Sequence, residues 1–273
     1  MSREEPRRLG GMALANGLLV HGPTHWAAAI REEDGTVRVA SGRKPVFSRG
    51  PLGEVPIVRG VLRMSEAMAV VPAARRGTPG ARLPMERVAV GVAALGSAVV
   101  AAAARRHLRS IAVQEILASL AGLAPALVAL RASDAAVWHG VEHKCIAAYE
   151  DGGAAEVAHA ADHAKEHPRC GSNLVLPLMA ATVLTNTALR SAVPRPSMGL
   201  RLGAMALSVG AAVELFSFAT RRPGHPVSRL VHGVGHAIQA RFATVEPDAA
   251  DLTVGRAAMD EIIRLEDAEA GAG

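Results

Sequence analysis

Aromatic residues are scarce, with four Phe, two Trp and one Tyr in 273 residues. So few rings offer little on which unpaired bases could stack, so the net charge of +5 is not read as the footprint of a nucleic-acid binder, and no nucleic-acid partner is expected. Cysteine is scarcer still: Cys145 and Cys170 are the only two. That excludes a disulfide scaffold and suits a reducing cytoplasm, with thiols that are free or metal-bound. The opening residues, Met1 to Arg8, are charged and lack an apolar core, so no cleavable signal peptide is expected there.

What the chain has in quantity is small apolar residues. Half of it is hydrophobic, with 27 glycines interspersed, and a composition dominated by Ala, Val and Leu suits close helix packing. Four apolar runs, 88–104, 111–130, 173–189 and 202–220, each have about the 17 to 20 residues that a bilayer core requires. Gln114, Glu115 and Glu214 interrupt the second and fourth, and an Ala-rich soluble helical bundle is the competing reading. Arginines stand at the run ends: Arg87, Arg105, Arg106, Arg109, Arg131, Arg190, Arg195, Arg221 and Arg222. They mark boundaries better than orientation. The arginine-rich N-terminal part is expected to stay in the cytoplasm, in a multi-pass protein of the cell membrane. The expected partners are the bilayer and, for the basic N-terminal part, anionic lipid headgroups. The oligomeric state is left open.

The predicted fold class is mostly α: a helical membrane protein of about four transmembrane helices with a small α+β N-terminal domain. Residues 1–82 form that basic domain. In it, alternating stretches either side of Glu32-Glu33-Asp34-Gly35 predict a β-hairpin turning at Asp34-Gly35. Helical spacing from Val58 to Ala74 predicts an amphipathic helix, and Thr78-Pro79-Gly80 a linker. Residues 83–225 form the helical membrane domain with a polar loop over 131–172. Residues 226–273 form a soluble tail, in which Leu252, Ala257, Met259, Ile262 and Ile263 suggest an amphipathic helix.

The polar stretch holds most of the unusual side chains. In helical form, Trp138-His139-Gly140-Val141-Glu142-His143-Lys144-Cys145 and the following Tyr149-Glu150 place His139, Glu142, His143 and Glu150 in one stripe of about 100°. His-x-x-Glu-His is the inverted zincin pattern, in which two histidines one turn apart hold a metal while the Glu activates water. Glu150 is about 10 Å further along the axis, too far to join the same ion. His159 and His163 read as an exposed helical face, and His232 and His236 as an amphipathic face after Pro226. His167 and Cys170 are better metal candidates, because Pro168 and Gly171 force a turn on which imidazole and thiol can converge. Four ligands (His139, His143, His167, Cys170) would make a closed structural site, and three would leave a position for water or substrate. Glu214, an acid inside an apolar run, is the remaining candidate ligand.

Together these motifs resemble the YqhQ-like family of uncharacterised bacterial membrane proteins, sometimes described as metal-dependent enzymes. The residues that carry the resemblance begin with Gly10-Gly11, Gly17, Gly22-Pro23, Arg59-Gly60 and Glu66. They continue with His139 to Lys144, Tyr149-Glu150, His167 to Gly171, Glu214, Gln239 and Glu246-Pro247-Asp248. Asn16 stands where the family usually has an acid, and Ser172 where it has Thr. The resemblance implies a multi-spanning membrane protein with a metal site, and the family has no established reaction.

The function expected is a metal-dependent membrane enzyme of hydrolase type, with zinc as the divalent metal. Glu142 is its general base, His139 and His143 are ligands, and the third ligand is His167, Cys170 or Glu214. Arg169 is a candidate for holding a substrate oxygen, with Lys144 and Glu150 as supporting groups. The alternative is a non-catalytic membrane scaffold, or a lipid- or partner-binding protein, in which the same cluster is structural. A transporter is a third reading, resting on Glu115 and Glu214.

Overall fold

In the segments 17–21 and 25–31, successive side chains fall on opposite faces of an extended chain, and here both faces are largely apolar. The computed structural model, which describes residues 7–271, shows the result as a four-stranded antiparallel meander. Its strands are β1 (Gly10–Ala13), β2 (Gly17–His21), β3 (His25–Arg31) and β4 (Val37–Arg43), paired in sequence order. The charged opening, Met1 to Pro6, lies outside the described residues. Arg31 pairs with Val37, leaving 32–36 as the turn. There Gly35 takes φ +83°, and the Asp34 carboxylate accepts from Thr36 N and Oγ1 at 2.9 and 2.7 Å. The expected hairpin is therefore present, as the second half of a larger sheet. Strands β1 and β2 extend it, although their glycines weaken any strand signal.

Helices cover both faces of the sheet. The helices among the described residues are α1 (Val58–Gly77), α2 (Val88–His107), α3 (Ile111–Ala121), α4 (Ala124–Arg131), α5 (Ala135–Gly152), α6 (Val175–Ala192), α7 (Met198–Arg221), α8 (Pro226–Ile238) and α9 (Ala249–Gly271), of which α1, α5 and α9 lie on the sheet. Leu18, Val20, Ala27 and Ala29 pack with Trp138, Val141, Leu252, Met259 and Ile262 of α5 and α9. Leu19, Trp26 and Ala28 pack with Val70 and Ala74 of α1. The core thus joins residues from the first 30 positions to the last 25, and the apolar stripe expected on α9 is the face that lies on the sheet. Glu266 fixes that helix, its carboxylate accepting from Thr24 N, Thr24 Oγ1 and His25 N at 2.7–3.0 Å.

Among the described residues, four stretches are long and apolar enough to cross a membrane: Val88–His107, Ile111–Arg131, Gly171–Ala192 and Met198–Arg221. At 1.5 Å per residue, about 20 residues cover a hydrocarbon core of roughly 30 Å. Their large apolar side chains, Val92, Leu95, Leu184 and Leu202 among them, point outward. The second stretch departs from one continuous helix. It breaks between α3 and α4, where Pro125 lies in the first turn of α4 and has no N–H to continue the ladder. Successive stretches run in alternate directions, so the sheet, α5 and α9 gather at one end of the bundle.

Candidate metal centre

Helix α5 is rich in alanine, a strong helix former, and ends at Gly153, whose φ of +76° suits a residue without Cβ. One turn of this helix carries His139, Glu142 and His143, all on the side facing the 163–171 loop and β1. Gly140 opens the opposite approach: a Cβ there would stand 2.2 Å from the Val245 carbonyl oxygen. The segment after α8 therefore crosses α5 closely, with Val245 N donating to Ala136 O at 2.8 Å. That crossing sets the Ala243 carbonyl 2.9 Å from His139 Nδ1.

A carbonyl oxygen can only accept, so Nδ1 of His139 carries the proton and Nε2 keeps its lone pair. His143 repeats the arrangement, with Nδ1 donating to Lys165 O at 2.6 Å. Its Nε2 is buried and has no hydrogen-bond partner among the described residues. Cys170 completes the group, its Sγ 3.2 Å from His139 Nε2. The three ligand atoms lie within 4.8 Å of one another. Two imidazoles held by carbonyls through one nitrogen, each presenting the other to a thiol, form the outer-shell pattern usual around protein metals. The residues present therefore fit a soft to borderline divalent ion such as zinc.

Electrostatics favour the same species. Burial pushes the pKa of His143 down to about 2, with His139 adding to the effect, so the ring is held neutral, the form a metal would need. Burial raises the Cys170 thiol above its ordinary value, against bonds from Ser172 that lower it. Such a thiol gains most from a cation that stabilises the thiolate. Glu142, wholly inside, is pushed up to about 7 by burial, the nearby Cys170 adding to the rise and His139 opposing it.

A polar cavity of about 160 Å³ opens on the trio, lined by Glu142, Arg169 and His167 and, from the sheet, by Leu9, Gly10, Gly11 and His21. Gly11 lies against the Glu142 carboxyl, where a Cβ would come within 2.7 Å. The sheet thus forms one wall of the site. His21 is the residue that motif reading missed, since a lone histidine on a strand carries no spacing signal. Burial lowers its pKa to about 4, with Lys44 contributing.

The remaining candidates separate. His167 lies beside the trio, its ring 5.8 Å from that of His143, but both its nitrogens are engaged: Nδ1 accepts from Arg169 N and Nε2 meets Glu150 Oε2, each at 3.3 Å. Arg169 pairs with the same Glu150, so this acid orients the loop. Lys144 ties the loop to α5, donating to Ala161 O and His163 O at 3.0 and 2.6 Å and pairing with Glu246. Gln239 Oε1 receives His167 N at 2.7 Å. Glu214 stands apart, in a fork with Arg59, because an acid inside an apolar helix finds its partner on the neighbouring α1. His159 and His163 share no regular helical face. The segment Ala154–Asp162 is 3-10 with a kink at His159, and His163 lies near Asp151 and Glu156. His232 is on α8, its Nε2 3.2 Å from Ala219 O. Asn16 bonds Arg31 O, Gly80 O and Arg82 N, a staple between the sheet and the 78–82 turn.

Residues 134–265 match the model of a family described as a protein of unknown function (DUF1385). The matched region opens at the start of α5 and contains the whole trio, Glu142 and the 163–171 loop, while the β1 and β2 wall lies before it. No curated protein and no solved structure matches the chain.

Proposed function

We propose that the protein is a metal-dependent hydrolase of the cell membrane, with zinc held by His139, His143 and Cys170 and with Glu142 as the general base. The observation that carries this reading is the buried, unpartnered Nε2 of His143, turned toward the same space as His139 Nε2 and the Cys170 sulfur. An apolar-lined pocket would leave that nitrogen paired or replaced, since an unsatisfied buried acceptor is costly. Three protein ligands leave one coordination position for water or substrate. When bound, the metal supplies a Lewis acid that polarises a carbonyl or phosphoryl oxygen and acidifies water.

The chain's own residues do the rest. Glu142, with its proton affinity near neutral pH, takes a proton from the attacking water and returns it to the leaving group. The carbonyls of Ala243 and Lys165 hold both imidazoles in the Nδ1–H tautomer. Arg169, fixed by Glu150 at the cavity wall, offers a cation to a developing oxyanion. Gly11 and the sheet keep Glu142 out of bulk water.

The two free thiols favour placing the sheet, the metal centre and α9 in a reducing cytoplasm, with four membrane crossings returning the C-terminal helix there. On the paired motifs at 139–144 and 167–171 we read the DUF1385 region as that of a YqhQ-like bacterial membrane protein. Metal analysis of detergent-purified protein tests the function. One equivalent of zinc, kept in Glu142→Gln and lost in His143→Ala, supports it, together with hydrolysis of an ester, amide or phosphoester panel by wild type and not by Glu142→Gln. Wild-type protein that binds no metal contradicts it.

A further inference from the structure

At the end of the bundle away from the metal centre, α2 finishes, α6 finishes and α7 begins, so Arg105, Arg190 and Arg201 meet at one level. They rim a cavity of about 670 Å³ between the helices. Its carboxylate, Glu115, is 2% exposed and already committed: Arg190 Nη1 donates to it at 2.5 Å and Asn186 Nδ2 at 3.0 Å. Arg190 in turn uses Nη2 on Gln114 Oε1 at 2.8 Å. Arg105 reaches Glu115 only at 3.7 Å and its side chain is half exposed. Arg201 places Nε 3.2 Å from the Pro196 carbonyl oxygen and meets no carboxylate among the described residues. The cavity therefore holds three guanidinium groups against one carboxylate.

Below that rim the walls turn apolar, with Leu178, Met205 and Val209. Leu189 lines both this cavity and an adjoining groove of about 600 Å³ between α6 and α7, whose surface is almost wholly apolar. A positively charged rim opening sideways into an apolar groove, at the edge of the membrane-spanning stretches, matches a molecule with an anionic head and a hydrocarbon chain.

We propose that this crevice binds an acidic phospholipid, its phosphate on Arg105 and Arg201 and an acyl chain in the α6–α7 groove. The charge excess selects an anionic head. A zwitterionic lipid would need a free carboxylate for its ammonium, and Glu115 is taken by Arg190 and Asn186. Inorganic phosphate could use the two arginines but leaves the groove empty.

Native mass spectrometry of the detergent-purified full chain tests this with phosphatidylglycerol, phosphatidylcholine of the same acyl chains, and inorganic phosphate. Each arginine near an anionic head is worth about a factor of five, so roughly a 30-fold preference for phosphatidylglycerol over phosphatidylcholine is expected. Arg105→Gln/Arg201→Gln should bring the two lipids to parity. Because both side chains lie at the rim, the variant should keep the wild-type unfolding temperature without lipid; if it does not fold, Arg201→Gln alone should cut the preference by about the single-arginine factor. Equal binding of the two lipids by wild type, an undiminished preference in the folded variant, or phosphate alone blocking the site as strongly as the lipid would overturn the proposal.

Discussion

Cys170 Sγ and His139 Nε2 lie 3.2 Å apart although 31 residues separate them. The closeness follows from two constraints on His139: α5 fixes its backbone, and the Ala243 carbonyl fixes its ring. The sulfur arrives on the turn after Pro168, where Asn173 Nδ2 holds the Pro168 carbonyl at 2.9 Å. Neither element alone makes a ligand set.

If a metal holds the Cys170 thiolate, removing it should change that sulfur's chemistry and leave Cys145 alone. Burial pushes Cys145 up to about 12, and it lies in the core rather than on the cavity. A small thiol reagent such as a methanethiosulfonate should modify no cysteine in the loaded protein and one after chelation, with Cys170→Ala unmodified in both states. Equal modification before and after chelation would count against a metal-held sulfur.

Gly11 is expected to be intolerant of a side chain, because the Glu142 carboxyl occupies the space. Gly11→Val should destabilise the fold by about 1–3 kcal/mol, the usual cost of overpacking, and should impair hydrolysis while zinc stoichiometry is unchanged. Denaturant melts and metal analysis on the same preparation read both effects. Unaltered stability would show that the β1 wall does not press on Glu142.

His21 predicts an acid-sensitive fold. Its folded pKa, about 4, lies below the ordinary histidine value near 6.5. Above about pH 6.5 the ring is neutral in both states and contributes no pH dependence. As pH falls from there toward 4, the unfolded chain takes up the proton and the folded chain does not, so stability is lost across that window and levels below it. Unfolding temperatures measured with chelator present should fall more steeply over this range in wild type than in His21→Asn. Parallel curves would remove His21 from the explanation.

How much of this was legible in the sequence depends on the range of the signal. The α5 stripe was readable because helical spacing is local, and the hairpin turn because Asp34-Gly35 names its own geometry. The four apolar stretches were readable from length, whereas the break at Pro125 lies inside a run that is apolar on both sides of it. The carbonyls of Ala243 and Lys165 left no trace, since every residue has one and only the fold selects these two. Glu150 was legible in part: its distance along the helix excluded it from the metal and left it a supporting group, but its partners, His167 and Arg169, needed the loop. Glu214 looked like a ligand because an acid among apolar residues requires a partner, and the partner was Arg59, 155 residues away. Gly10-Gly11 stood out in the sequence as part of the family resemblance, but that they and His21 wall the site was not legible, because strand residues reach it by tertiary packing alone.

X-ray absorption spectroscopy of the zinc-loaded protein tests the three-ligand centre most directly. The geometry predicts one sulfur at about 2.3 Å and two imidazole nitrogens at about 2.0–2.1 Å, with a light fourth scatterer from solvent. The spectrum should be unchanged in His167→Ala and lose its sulfur shell in Cys170→Ala. A shell of three imidazoles and a sulfur in wild type, or a sulfur-free shell, would contradict the centre described here.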